Sequence, residues 1–170
     1  MSYCVYCLSL PKENIHRVYH DTEYGRNEYD NNKLFEKFCL EINQAGLSWD
    51  IVLKKRKTLS IAFDQWSIDK VAAYDQKKIK ELTLNTGVIR HRKKIESIVY
   101  NANQILLMHK NGISFSNWLE SLKGKSLDEC LIIFKKKFKF VGTEIVREFL
   151  QGICILNGAH DFDCSKYKKT

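Results

Sequence analysis

The sequence predicts an all-α fold, a bundle of eight or so short helices. Three observations carry that prediction. Among 170 residues there is one proline, Pro11, and only eight glycines, so helix breakers are scarce beside abundant Leu, Ile, Lys and Glu. From about residue 34 onward, apolar residues recur at helical spacing. Strand-like alternation is absent.

The first thirty residues read as irregular, rich in Tyr, Cys, His and Asn. Leu34, Phe35, Phe38 and Ile42 then mark a first helix, and Ile51, Val52 and Leu59 a second. Ile68 to Ala73 and Ile79 to Leu84 predict two short helices joined near Asp75. A long amphipathic stripe follows through Ile95, Ile98, Val99, Ala102, Ile105 and Leu106, and Asn111-Gly112 is its stop signal. Leu127, Leu131, Phe134 and Phe138 give another stripe. Val141, Ile145, Phe149, Ile153 and Leu156 give the last, before a short basic tail beyond Asn157-Gly158. No repeat or linker divides the chain, so a single domain over residues 1–170 is expected.

A chain of this length can bury a core without disulfides. Lys and Arg total 28 against 20 Asp and Glu, a formal charge of +8. That balance fits a polyanionic partner, nucleic acid first, or a generally lysine-rich composition. No apolar run reaches the length of a membrane span, and the N-terminus lacks the order of a signal peptide. A cytoplasmic, membrane-free protein is expected, with its six cysteines reduced and serving as core residues or metal ligands.

One carboxylate stands out. Glu41 lies seven residues after Leu34 and three after Phe38, on the apolar face of its helix if the helix extends that far. A carboxylate there needs a partner or a task, unless it sits at a helix end and reaches water. The loop Ala45-Gly46-Leu47-Ser48-Trp49 follows, with a glycine suited to a tight turn and an aromatic ring suited either to the core or to a flat cationic base.

These residues carry a family resemblance. Leu40-Glu41-x-x-Gln44-Ala45-Gly46-Leu47-Ser48-Trp49 resembles the signature of the DNA-3-methyladenine glycosylase I family. So does Tyr19-His20-Asp21-x-Glu23-Tyr24-Gly25 before it. Gly87-Val88-Ile89-Arg90-His91-Arg92-x-Lys94-Ile95 and Phe138-Lys139-Phe140-Val141-Gly142-Thr143 are similar to later blocks of that family, in the same order. The resemblance implies a helix-hairpin-helix DNA glycosylase-like bundle with a bound zinc ion. It implies hydrolysis of the N-glycosidic bond of 3-methyladenine in double-stranded DNA, after the nucleotide flips out of the stack. Glu41 would be the catalytic residue, and Tyr19, Trp49 and Tyr24 would enclose the base, Tyr24 standing where the family usually has tryptophan.

For DNA contact the resemblance points to Gly46 and to Leu47 as a wedge in the gap left by the flipped base. Gly87, Arg90 and Arg92 would form a glycine-bearing hairpin leading into a basic helix start, and Gly142-Thr143 a second helix start with Thr143 as N-cap. The alternative for Arg90, Arg92 and Lys94 is a solvated face. The Lys135-Lys136-Lys137 run has the same ambiguity and no motif support.

His160-x-x-x-Cys164 has zinc-ligand spacing, weak by itself. Family positions add Cys4 and His20, giving a closed structural zinc site that ties segment 1–30 to segment 157–170. Cys7 is the alternative to Cys4. Cys39, Cys130 and Cys154 are expected in the core, and His16 and His109 at the surface.

The main reading is therefore a monomeric, monofunctional glycosylase. A zinc-stabilised DNA-binding module without catalysis is the alternative, given Tyr24 and an apparently shortened segment between Trp118 and Lys135. A lyase would need a pocket lysine, and none lies in the pocket motifs. A catalytic zinc with Glu23 as base would need an open coordination position that four protein ligands do not leave.

Overall fold

A computed structural model describes residues 2–166, so the expected C-terminal segment 157–170 runs past the described residues. Ten α-helices and one 3-10 turn make up the regular structure of the described residues: α1 Tyr3–Leu8, α2 Ile15–Thr22, α3 Asn31–Gln44, α4 Trp49–Ala62, α5 Ile68–Ala72, α6 Gln76–Leu84, α7 Arg92–Lys110, α8 Phe115–Glu120, α9 Leu127–Lys137 and α10 Thr143–Gly152. The all-α expectation holds.

Local chemistry sets most of the helix starts. Asp30, Ser48, Asp75 and Ser114 each accept an amide of the first turn of α3, α4, α6 and α8. Ser126 and Glu129 form a reciprocal capping box on α9. The three lysines 135–137 occupy the last turn of α9, where they complement the helix dipole, so that charge run has a structural use. The long stripe stops where expected: α7 ends at Lys110, with Asn111 as C-cap and Gly112 at φ 78°.

The first thirty residues are not irregular. They form α1 and α2, capped by Ser2 and Asn14. Aliphatic periodicity does not reveal them, because their buried faces carry Cys4, Cys7, His16, Tyr19 and His20 instead of Leu and Ile. The six-residue α8 is too short to show a period. The 3-10 turn Asp64–Trp66 has φ of 50°, 57° and 59°, a left-handed stretch that L-residues resist. It is held by Trp66, buried and stacked on Phe63 at 4.8 Å.

α3 is central, packing on α4, α5, α7, α8 and α10. Its Phe38 meets Phe115, Phe134, Phe138 and Phe149, with ring centroids 5.1–6.5 Å apart. Cys39, Cys130 and Cys154 are buried, as expected. The segment between Trp118 and Lys135 is closed and capped, its tryptophan packed on Phe134, and none of it lines the main cavity. A second, smaller apolar cluster stands apart from this core: Tyr19, Tyr24 and Leu53, with Tyr3 and Trp49 against them. Residues 85–91 turn α6 into α7 as a helix-hairpin-helix unit.

Candidate active site and metal centre

The second cluster is one wall of a cavity of about 810 Å³. Tyr3, Tyr19, Tyr24 and Trp49 line it together with Glu41, Gln44, Ala45, Gly46, Leu47, Gly142, Thr143, Glu144, Ile145 and Glu148. All four residues expected for the base site are thus brought together, from α2, α3, α4 and the turn after α2. Trp49 and Tyr19 meet edge to face at 5.3 Å, and Tyr19 lies 5.9 Å from Tyr24. Such a mutually packed set is rigid and still offers ring faces to a flat guest.

Glu41 is seven per cent exposed, inside α3 and not at its end. Among the described residues, no side chain donates a hydrogen bond or forms an ion pair to its carboxylate. Burial, and next the nearby charge of Glu148, push its pKa up from 4.5 to about 8, against a smaller opposing pull from Lys37. Tyr19 is pushed far above its ordinary range by burial and then by Glu41. An acid group with a raised pKa is therefore held in an aromatic cavity, where a nearby positive charge would favour its ionised form.

The loop after α3 is built to expose Leu47. Ala45 caps the helix, Gly46 takes φ 78°, and the Leu47 amide donates to Gln44 O at 2.7 Å. Leu47 is 38% exposed and lines both the main cavity and a neighbouring groove of about 580 Å³. That groove includes Ile51, Lys55, Thr86, Val88, Ile89 and Arg90, so the hairpin lies beside the cavity mouth.

Of the hairpin residues, Arg90 is exposed on the groove. Arg92 does not line it: its guanidinium is engaged by Glu96 at 2.7 Å and Gln76 at 3.0 Å. Gly87 donates to Asn85 Oδ1 and accepts from Thr58 Oγ1, and an added Cβ would lie 3.1 Å from Asn85 Oδ1 and 3.3 Å from Thr58 Cβ. Gly142 and Thr143 do line the cavity. The cap assignment shifts by one residue: Gly142, at φ −95° and ψ 171°, is the N-cap and Thr143 the first helical residue. With glycine at the cap no side chain closes the end of α10, and its first amides stay available to a ligand.

Three residues were not legible beforehand. Lys94 is not part of a solvated face. It is three per cent exposed and its ammonium donates to Asn43 O at 2.8 Å and Ala45 O at 2.5 Å. It thereby satisfies carbonyls at the end of α3 and anchors the Leu47 loop. Tyr3 and Glu148 reach the cavity from α1 and α10, and only the i, i+4 spacing of Glu144 and Glu148 on a short helix could have hinted at the latter. His16 is buried rather than at the surface, with Nδ1 3.3 Å from the Tyr3 hydroxyl and Nε2 3.5 Å from Asp50 Oδ1. His109 is half-buried and accepts the Phe115 amide at 3.2 Å.

Behind the aromatic wall, Cys4, His20, His160 and Cys164 are all buried, and their donor atoms lie within 4.8 Å of one another. The sulfur–nitrogen separations are 3.3, 3.5, 3.7 and 3.8 Å. A tetrahedral ion with ordinary Zn–S and Zn–N bonds would space its ligands by about 3.5 Å. The outer ring nitrogens are already committed, His20 Nδ1 to Asp21 at 2.8 Å and His160 Nε2 to Tyr24 O at 2.9 Å. This leaves His20 Nε2 and His160 Nδ1 turned inward. The Asp161 and Lys166 amides point at the Cys4 and Cys164 sulfurs. The four residues fit a metal ion. Cys7 is outside the group, its thiol donating to His16 O. Gly25 matters here: at φ 63° it passes so close that a Cβ would sit 2.7 Å from the His160 ring.

The methyladenine glycosylase family profile matches residues 9–132. A DNA-3-methyladenine glycosylase of Haemophilus influenzae is 46% identical across 93% of this chain and 95% of its own length. DNA-3-methyladenine glycosylase 1 of Escherichia coli K12 is 36% identical across 95% of this chain and 96% of its own. Among solved structures, that of 3-methyladenine DNA glycosylase I from Staphylococcus aureus, determined for its recognition of 3-methyladenine, superposes with a TM-score of 0.85 at 29% identity, covering 99% of this chain and all of the other. Fold, cavity and sequence agree, and the chain belongs to the methyladenine glycosylase family.

Proposed function

We propose that this protein hydrolyses the N-glycosidic bond of 3-methyladenine in alkylated double-stranded DNA. The observation that carries the proposal is Glu41, a buried carboxylate without a partner in an aromatic cavity. A neutral adenine gives Glu41 no reason to ionise. A cationic, N-alkylated base does, because an opposite charge within a few ångströms favours the carboxylate. Selection then falls on the charge that distinguishes damaged from undamaged bases.

The alkylated base is already a good leaving group, so the protein has to hold it more than activate it. Trp49, Tyr19 and Tyr24 stack on it or enclose it, and Glu41 accepts a hydrogen bond from it and stabilises its charge. Water attacks the anomeric carbon as positive charge moves onto the sugar. The cavity is recessed, so the nucleotide must flip to enter it. Leu47, exposed between cavity and hairpin groove, fills the gap left in the stack. Arg90 and the amides of the hairpin and of the α10 start hold the phosphate backbone.

We read the metal as zinc, closed in by Cys4, His20, His160 and Cys164. Such an ion supplies structure: it ties α1 and α2 to the segment around His160 and Cys164 behind Tyr24, holding them in one domain. Four protein donors leave no position for a metal-bound water.

The test is release of free bases from methylated duplex DNA. Wild type should release 3-methyladenine, and Glu41→Gln should release it far more slowly while keeping its fold and metal. No release by folded, metal-loaded wild type would overturn the enzyme reading and leave a DNA-binding module.

A further inference from the structure

We propose that Glu148 is a specificity-determining residue of this cavity: a second carboxylate, oriented by the Tyr24 hydroxyl, that favours a base carrying positive charge over the same base uncharged. The inference rests on the cavity being the base pocket.

Glu148 and Glu41 line the same cavity from different helices, α10 and α3. The Tyr24 hydroxyl donates to Glu148 Oε2 at 3.2 Å. The other oxygen, Oε1, lies 3.5 Å from the Arg147 guanidinium, which also pairs with Glu144. The tyrosine ring is fixed by neighbours, with Tyr3 at 5.6 Å and His160 at 5.4 Å. A hydroxyl on a residue this buried needs an acceptor, and Glu148 is the one it has. The tyrosine at position 24 and the carboxylate at 148 thus work as a pair. Glu148 is about a third exposed on its side chain, so it bridges cavity and solvent. Its charge is felt by Glu41, whose ionisation it opposes and Lys37 assists.

The chemistry gives this pair a use. An N3-alkylated deoxyadenosine carries its positive charge on the purine. When the C1′–N9 bond breaks, both bonding electrons go to N9. The base leaves uncharged, the sugar takes the positive charge, and water adds to C1′ with loss of one proton. Two carboxylates therefore attract the substrate and the developing sugar cation, but not the product. Once the base is neutral, their mutual repulsion returns and is relieved by reprotonation of Glu41, which burial and Glu148 already disfavour as a carboxylate. Glu148 would sharpen selection on entry and speed product loss.

The test measures binding of two free ligands to the full chain at mildly alkaline pH by tryptophan fluorescence: the permanently cationic 3,9-dimethyladeninium ion and uncharged 3-methyladenine. Wild type should prefer the cation. Glu148→Gln should weaken cation binding by about fivefold while leaving the neutral base nearly unchanged, the size expected for one partly screened charge. Tyr24→Phe keeps the charge but frees the carboxylate, and a smaller loss in the same direction is expected. At pH 5, where Glu41 is neutral, both variants should unfold cooperatively as wild type does, which separates a binding effect from a folding defect. An unchanged cation-to-neutral ratio in folded Glu148→Gln would overturn the inference while leaving the base pocket intact. Wild type binding neither ligand would instead overturn the base-pocket reading and this inference with it.

Discussion

Replacing Glu41 by glutamine should make the protein more stable at alkaline pH, by an amount that grows with pH. In the folded chain its carboxyl titrates near 8, against an ordinary value of 4.5. Between those values the folded state holds a proton that the unfolded state has released. The unfolded state therefore binds fewer protons, and stability falls as pH rises through that window. At about 1.4 kcal/mol for each pH unit, complete titration withdraws about 5 kcal/mol. Glutamine mimics the neutral acid and never titrates, so the variant escapes the loss. Near pH 5, where Glu41 is neutral, the two proteins should melt together. Near pH 9 the variant should melt about 10 °C higher, given about 2–4 °C per kcal/mol for a chain of this size. Paired thermal or urea melts across pH give the difference directly, and titration of the metal ligands cancels in it. A stability difference that does not change with pH, or one that favours wild type at alkaline pH, would refute the reasoning. The same variant should lose base release, so stability and function are opposed at this residue.

Further outcomes follow from the surrounding residues. Lys94→Met leaves the Asn43 and Ala45 carbonyls unpaired and should cost about 2–3 kcal/mol in urea melts, with weaker DNA binding as the Leu47 loop loosens; unchanged stability would mean water replaces the ammonium. Cys4→Ser and Cys164→Ser should each abolish stoichiometric metal and lower the melting temperature, whereas Cys7→Ser should retain the metal on elemental analysis. If Arg90 holds a phosphate, Arg90→Ala should weaken binding evenly across sequences and reduce the salt slope by about one, with a smaller effect at Arg92, which is paired within the protein. Equal effects at both positions would mean Arg92 leaves Glu96 on binding DNA.

Much of the fold was legible because it is driven by aliphatic periodicity. The stripes of α3, α7 and α9 are one-dimensional patterns, and the Asn111-Gly112 stop is a local signal. α1 and α2 were not legible for the complementary reason: their inward faces carry cysteine, histidine and tyrosine, and pack against a cavity and a metal group. Pattern also marked Glu41 as suspect and the ordered motifs named its company, but spacing could not say whether its helix continued past it. It does, by three residues, and the acid is buried as a result.

Sequence by itself determined the helical class and put His160 and Cys164 at metal-ligand spacing; family motifs added His20 and Cys4, with Cys7 as the alternative, and pointed to Glu41, Tyr19, Tyr24 and Trp49 as base-site candidates. Tertiary structure decided what depends on chain segments meeting. It chose Cys4 over Cys7, because only Cys4 faces the two histidines. It turned Lys94 from a surface charge into the anchor of the Leu47 loop and moved His16 indoors. It also set Glu148 beside Tyr24 across 124 residues of chain. Periodicity reports which face of a helix is buried; it carries no information about which distant residue that face will meet.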